Sequence, residues 1–250
     1  MNDTTVNRLD RIRFVLINTS HAGNIGATAR AMKVMGLHDL HLVNPDQYPS
    51  AEATARASGA DDVLYQAGVH QKLTDAIAPC TLVLGTSARN RGMNIPVIDL
   101  VEAAEKMLAT AVHGQVALLF GKERYGMTNE EMLNCHYLVK FPANPAYASL
   151  NLAAAAQVAA YELRKQCLQL TSVAVDPAPT GEPECVDAAR MQGFYQHLFE
   201  VMQAVGHMHD NNQKSLAEKL YMMFNRMGIE KHEMDILRGF LSAISKKIPK

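Results

Sequence analysis

Five short runs of strand-forming residues constrain the fold of this chain more than anything else in it. They lie at 12–17, 40–43, 81–85, 116–120 and 137–141. Each is almost continuously apolar instead of alternating, the pattern of a strand covered on both faces. Helical spacing fills the intervals at 27–35, 50–57 and 100–110, and 58–62 reads as a turn. Thr128 with Glu131 three residues on forms a capping box, so a further helix starts there. Strands buried on both sides and alternating with helices define an α/β protein, a mostly parallel sheet flanked by helices.

The strands of such a sheet end on one edge, and ligands bind at that edge. Here the strand ends run into polar loops. The first, Asn18 through Gly26, reads as strand, glycine loop and helix N-terminus, an arrangement that presents backbone N–H groups to an anion. Its Gly23-Asn24-Ile25-Gly26 is not the G-x-G-x-x-G signature, which disfavours a nucleotide-dependent oxidoreductase. Arg30 follows a turn and a half beyond Asn24. The run at 81–85 empties into Thr86, Ser87, Ala88, Arg89, Asn90 and Arg91, whose arginines suit phosphate contacts. A third loop spans 121–131.

The stretch 144–163 changes character halfway. Pro145 biases Asn144 away from helical dihedrals, so the stretch begins as a turn. From Ser149 it reads as an alanine-rich helix, apolar on almost every face, which belongs inside a domain or against a partner. Ser149 and Asn151 stand at its mouth, where free N–H groups and short polar side chains hold a polar ligand.

The remainder of the chain separates from this unit. Residues 171–187 contain three prolines, one glycine and four acids with no base, the composition of an exposed linker. Residues 188–250 are helical again and carry half of the 14 methionines, with nine Lys or Arg against six Asp or Glu. The expected division is therefore a domain at 1–170, a linker at 171–187 and a small all-helical extension at 188–250. A net charge of −1 over 250 residues argues against an overall electrostatic grip on nucleic acid and leaves room for a local basic patch. No apolar run approaches the roughly 20 residues that span a bilayer, and the polar start is no signal peptide. Cys80, Cys135, Cys167 and Cys185 lack zinc-like spacing, so reduced thiols in a cytoplasmic protein are expected, with no metal. His207, His209 and Asp210 read as a solvated loop.

Taken together, the strand-end loops at 18–30, 121–131 and 144–151 resemble the three motifs of the SPOUT class of RNA methyltransferases. Motif one is similar to Asn24 through Arg30, motif two to Phe120 through Gly126, and motif three to Asn144-Pro145 through Ser149-Leu150-Asn151. Thr19-Ser20-His21, Gly85 through Arg89 and the helical tail narrow the resemblance to bacterial enzymes that methylate the ribose 2′-hydroxyl of nucleotide 32 in the tRNA anticodon loop. The resemblance implies a C-terminal trefoil knot, a homodimer with each site near the subunit boundary, and S-adenosylmethionine as methyl donor, leaving as S-adenosylhomocysteine. It places the cofactor against Thr86, Ser87, Ala88, Gly121, Phe141, Ala148, Ser149 and Leu150. It makes Arg30 the catalytic arginine, arranged by Asn24, Glu123, Ser149 and Asn151, with Glu123 holding an arginine by a charge-assisted pair. RNA contacts are expected from Arg89, Arg91 and Arg124, with Lys214, Lys219, Arg226, Lys246 and Lys247 in the tail. Two alternatives share these motifs: a 2′-O-methyltransferase for another tRNA position or for ribosomal RNA, and a non-catalytic knotted RNA-binding protein.

Overall fold

The computed structural model describes residues 8–87, 93–172 and 185–248. Among them seven strands form one sheet: β1 (Ile12–Ile17), β2 (Leu40–Val43), β3 (Gly68–His70), β4 (Cys80–Thr86), β5 (Val97–Asp99), β6 (Gln115–Phe120) and β7 (Tyr137–Lys140). Their order is β3-β2-β1-β6-β4-β7-β5, and every pairing is parallel. All of β1 and five of the six residues of β6 are buried, which is why these runs carry no polar alternation. The two edge strands, β3 and β5, are absent from the five runs of the sequence reading. Each has three residues and a half-exposed valine, Val69 at 52% and Val97 at 54%, so neither has an apolar run to find.

Among the described residues ten α-helices accompany the sheet: α1 (Ala22–Met35), α2 (Ala51–Ala57), α3 (Asp61–Tyr65), α4 (Leu73–Ile77), α5 (Leu100–Thr110), α6 (Asn129–Met132), α7 (Leu152–Ser172), α8 (Ala188–Ala204), α9 (Gln213–Asn225) and α10 (Lys231–Ser245). One core joins Phe14, Leu16 and Phe120 of the sheet to α1, α5 and α7. A second, on the other face, joins Val15, Ile17, Val83 and Leu119 to α4 and α6. No helix among the described residues is long and apolar enough to cross a membrane.

Three local readings change. α1 begins at Ala22, so Gly23 and Gly26 are helical and not a phosphate-cradling loop. The cause is tertiary: a Cβ on Gly26 would stand 2.0 Å from the Ala53 carbonyl oxygen and 2.9 Å from the Arg56 Cβ, so α1 and α2 touch through this glycine. Gly26→Ala is therefore expected to destabilise the fold by about 1–3 kcal/mol, the cost of overpacking a close contact, read as a lower urea midpoint. Residues 58–62 hold a left-handed Ser58, but Asp61 and Asp62 already open α3. The third change concerns α7, which starts at Leu152 and not at Ser149. Its start is set by Asn151, whose Oδ1 accepts the Ala154 N–H at 3.2 Å.

α7 buries Leu152, Ala156, Ala159, Ala160 and Leu163, small enough for it to pack closely on α1 and α5. It is not apolar all round. Glu162 and Gln166 are buried too, with Gln166 Nε2 donating to Glu162 Oε1 and to the Val101 carbonyl, both at 3.0 Å. Val158 and Tyr161 face outward, 41% and 54% exposed.

Helices α8–α10 enclose their own core around Phe194, Tyr195, Met234 and Leu241. They are fastened to the sheet unit by polar bonds. The Ala189 N–H donates to the Ala78 carbonyl at 3.0 Å, and Asn225 Nδ2 donates to the Leu133 carbonyl at 2.8 Å. The buried Tyr195 hydroxyl holds Asn225 by donating to its Oδ1. Val186 is buried and its N–H donates to the Ile229 carbonyl, so paired structure begins before the end of the stretch read as linker. Residues 173–184 of that stretch lie outside the described residues. The four cysteines are free thiols, and burial pushes the Cys80 thiol up to about 12.

Candidate active site

The carboxyl ends of β4, β6 and β7 open into a cavity of about 310 Å³. The loop after β6 forms one wall by folding back on itself. The Gly126 N–H donates to the Lys122 carbonyl at 2.7 Å, and Gly126 adopts a left-handed φ of 68°. Where the loop doubles back, a Cβ on Gly121 would lie 2.3 Å from both the Gly126 carbonyl carbon and the Met127 nitrogen. Only glycine fits there. At the exit of β4, Thr86 Oγ1 donates to the Leu119 carbonyl and the Ser87 N–H to the Val139 carbonyl, both at 3.0 Å. The loop before α7 is shaped by Asn144, whose Oδ1 accepts the Ala146 N–H and whose carbonyl accepts the Tyr147 N–H.

Beside the cavity, Glu123 is held by four donors. Ser20 Oγ donates to it at 2.8 Å, the Ser20 and His21 N–H groups at 3.1 and 3.2 Å, and Asn24 Nδ2 at 3.0 Å. Burial alone would raise this carboxyl's pKa, but the bonds from Asn24 and Ser20 outweigh it and hold the group at about 2. Asn24 in turn accepts from Asn151 Nδ2 at 3.0 Å through its Oδ1. The three motif segments are thus joined by one hydrogen-bonded chain, Glu123–Asn24–Asn151. The expected pairing of Glu123 with an arginine does not occur among the described residues. The N–H groups at the start of α1 and the Asn24 amide occupy the carboxylate instead.

Seven of the eight residues expected at the cofactor line this one cavity: Thr86, Ser87, Gly121, Phe141, Ala148, Ser149 and Leu150. Ala88, the eighth, lies outside the described residues, as do Arg89 and Arg91. Glu123 and Arg124 also line it, while Asn24 and Asn151 stand beyond Glu123. Arg30 does not line it. It is exposed on α1, one turn past Gly26 on the stripe that meets α2. Sequence reasoning overlooked two cations in the lining, Lys122 and Lys140, and the exposed Tyr125. Lys140 ends β7 and so had a detectable signal, its place at a strand's carboxyl end. Lys122 is tied to Asp46 at 3.4 Å, a partner 76 residues away that no spacing rule reveals.

Hydroxyls and backbone groups in the lining, together with Phe141, Met127, Leu150 and Leu152, suit a ligand that is part aromatic and part polar, of nucleoside size. The model of the SpoU rRNA Methylase family matches residues 11–161, and that of the C-terminal domain of the tRNA methyltransferase TrmJ matches residues 189–250. The chain belongs to the SpoU methylase family. Among its relatives, the tRNA (cytidine/uridine-2′-O-)-methyltransferase TrmJ of Cronobacter sakazakii is 46% identical over 240 residues, 94% of this chain and 96% of that one. The protein of the same name from Escherichia coli is 45% identical, over 96% of this chain and 97% of its own. The crystal structure of TrmJ from Z. mobilis superposes with a TM-score of 0.82 at 30% identity, covering 93% of this chain and 98% of that one.

Proposed function

We propose that this chain transfers the methyl group of S-adenosylmethionine to the ribose 2′-hydroxyl of nucleotide 32 in the anticodon loop of tRNA. The observation that carries this reading is that two motif segments line one cavity and the third is bonded to both of them beside it, through the chain Glu123–Asn24–Asn151. The near full-length similarity to tRNA 2′-O-methyltransferases supports the substrate class. The cavity fits the donor: Phe141 and Met127 offer apolar cover for an adenine, and Thr86, Ser87 and Ser149 offer hydroxyls.

S-adenosylmethionine supplies a methyl group on a good, neutral leaving group. The chain has to bind that donor, bring the 2′-hydroxyl into line and deal with its proton. Gly121, Ala148 and Leu150 bound the binding space. Glu123 fixes the start of α1 through Ser20, His21 and Asn24, and so sets where α1 carries Arg30. The positively charged Arg30 guanidinium orients the hydroxyl and stabilises its developing negative charge. The tail supplies further RNA contacts through Lys214, Lys219, Arg226, Lys246 and Lys247.

The working unit is a homodimer in the cytoplasm. Val158, Tyr161 and Leu168, exposed on α7, support a subunit contact, and Arg30, outside the cavity of its own chain, supports a site near the boundary. The seating of α7 against both α1 and α5 is consistent with a trefoil knot through the segment after β6.

Purified protein with labelled S-adenosylmethionine and tRNA from a strain lacking this gene tests the reading, with position mapping of the product. Label in 2′-O-methylated nucleosides at position 32 is expected. Label at another tRNA position or in ribosomal RNA moves the target, and RNA binding without transfer overturns the enzymatic reading. A second expectation concerns the cavity itself. Gly121→Ala must push the 126–127 backbone outward, so S-adenosylmethionine affinity falls by about tenfold or more in calorimetry, from a strain of about 1–3 kcal/mol.

A further inference from the structure

Two tyrosines stand exposed on the loops that frame the cavity. Tyr147 is 82% exposed, and its neighbours Pro145, Ala148, Ser149 and Leu150 all line the cavity. Tyr125 is 62% exposed, lines the same cavity and lies 5.7 Å from the Arg124 guanidinium. Exposing one large ring costs little; two at a single opening, on the loops that build it, need a reason.

The backbone under Tyr147 is fixed although its ring faces solvent. Its N–H donates to the Asn144 carbonyl at 2.9 Å, and the same asparagine holds Ala146 through Oδ1 at 3.0 Å. The ring is therefore presented on a formed turn, so little ordering is needed when something covers it. The charges beside it are cationic. Among the described residues Lys122, Arg124 and Lys140 line the opening, with Lys122 held by Asp46 at 3.4 Å, and the one carboxylate of that lining, Glu123, is engaged by Ser20, His21 and Asn24. Flat π-faces among cations suit a single-stranded nucleic acid, whose bases stack on aromatic rings while its phosphates meet lysine and arginine.

We propose that Tyr147, with Tyr125, is a stacking platform for unpaired bases of the RNA substrate at the mouth of the cavity. The inference rests on the reading of the cavity as an RNA methyltransferase site. It assigns the two tyrosines to RNA recognition, apart from the groups that hold the methyl donor.

The chain has no tryptophan, which gives a direct reporter. Tyr147→Trp places a single indole at the platform, and a base stacked on it quenches its emission. Titration with tRNA is expected to quench it, and titration with S-adenosylmethionine alone is expected not to. In parallel, Tyr147→Ala is expected to weaken tRNA binding by about tenfold, the scale of one lost base stack. Its S-adenosylmethionine affinity and sedimentation behaviour stay as in the parent protein, and Tyr147→Phe keeps the tRNA affinity that alanine loses. Quenching by the methyl donor alone assigns Tyr147 to the donor pocket and overturns the proposal. A shift of Tyr147→Ala toward a smaller species, with tRNA affinity intact in what remains assembled, makes it a subunit contact and also overturns it. Absence of quenching by tRNA does the same, provided the unmodified protein methylates that tRNA. If the unmodified protein methylates no RNA, it is the functional reading beneath that has failed.

Discussion

Arg30→Ala is expected to slow methyl transfer by about 10²–10³-fold while leaving S-adenosylmethionine affinity nearly unchanged. Both halves follow from where the residue sits. Arg30 is exposed on α1 and takes no part in the lining of the cavity, so its removal leaves the donor's surroundings intact. Its permanent charge suits it to meet an oxygen that becomes negative as the methyl group arrives, and a phosphate of the RNA can share that charge. Arg30→Lys keeps the charge and loses the planar fork, so an intermediate rate is expected. An equal fall in donor affinity would make Arg30 a structural residue of α1. Its distance from the cavity of its own chain also makes a two-chain experiment informative. Arg30→Ala and Gly121→Ala chains, mixed and reassembled, should regain transfer, because one chain contributes an intact cavity and the other an intact arginine. If the mixture stays as inactive as its components, Arg30 serves the cavity of its own chain.

What was legible beforehand follows physical lines. The strands β1, β2, β4, β6 and β7 announce themselves because burial on both faces removes polar residues from them, whereas β3 and β5 are too short and too exposed to leave a trace. Glycine is a poor helix former, which made Gly23 and Gly26 read as loop; their place inside α1 is decided by the approach of α2, a tertiary fact. The cavity residues are legible through the family resemblance, which points to Thr86, Ser87, Gly121, Phe141, Ala148, Ser149 and Leu150. The bonds between the motif loops are not. Asn151 and Asn24 are 127 positions apart, Glu123 and Asn24 are 99, and no periodicity connects them. For the same reason the sequence does not reveal that Ser20, His21 and Asn24 donate to Glu123.

That carboxylate yields the second large effect. Glu123→Gln keeps the size of the side chain but turns one acceptor oxygen into a donor, facing N–H and O–H groups that already point inward. The start of α1 and the loop after β6 then lose their common anchor, and a shift of about 1 Å between them is expected to cost about 10²-fold in transfer rate. The same contacts predict a pH signature. The Glu123 pKa lies at about 2 in the folded chain against an ordinary value of 4.5, so the folded state favours the charged form. The resulting stabilisation is fully present above about pH 4.5 and is lost as the pH falls through the folded value. Glutamine has no such titration. The difference in melting temperature between parent and Glu123→Gln should therefore be widest near neutrality and shrink steadily between pH 4.5 and pH 2. Its size will fall short of what the pKa gap alone implies, because the side chain is only partly buried and solvent screens it. A gap that stays constant down to pH 2 would place the loss in packing and not in the carboxylate's charge. A gap that closes as the parent loses amide-exchange protection at Ser20 and His21 would tie the anchor to the ionised form.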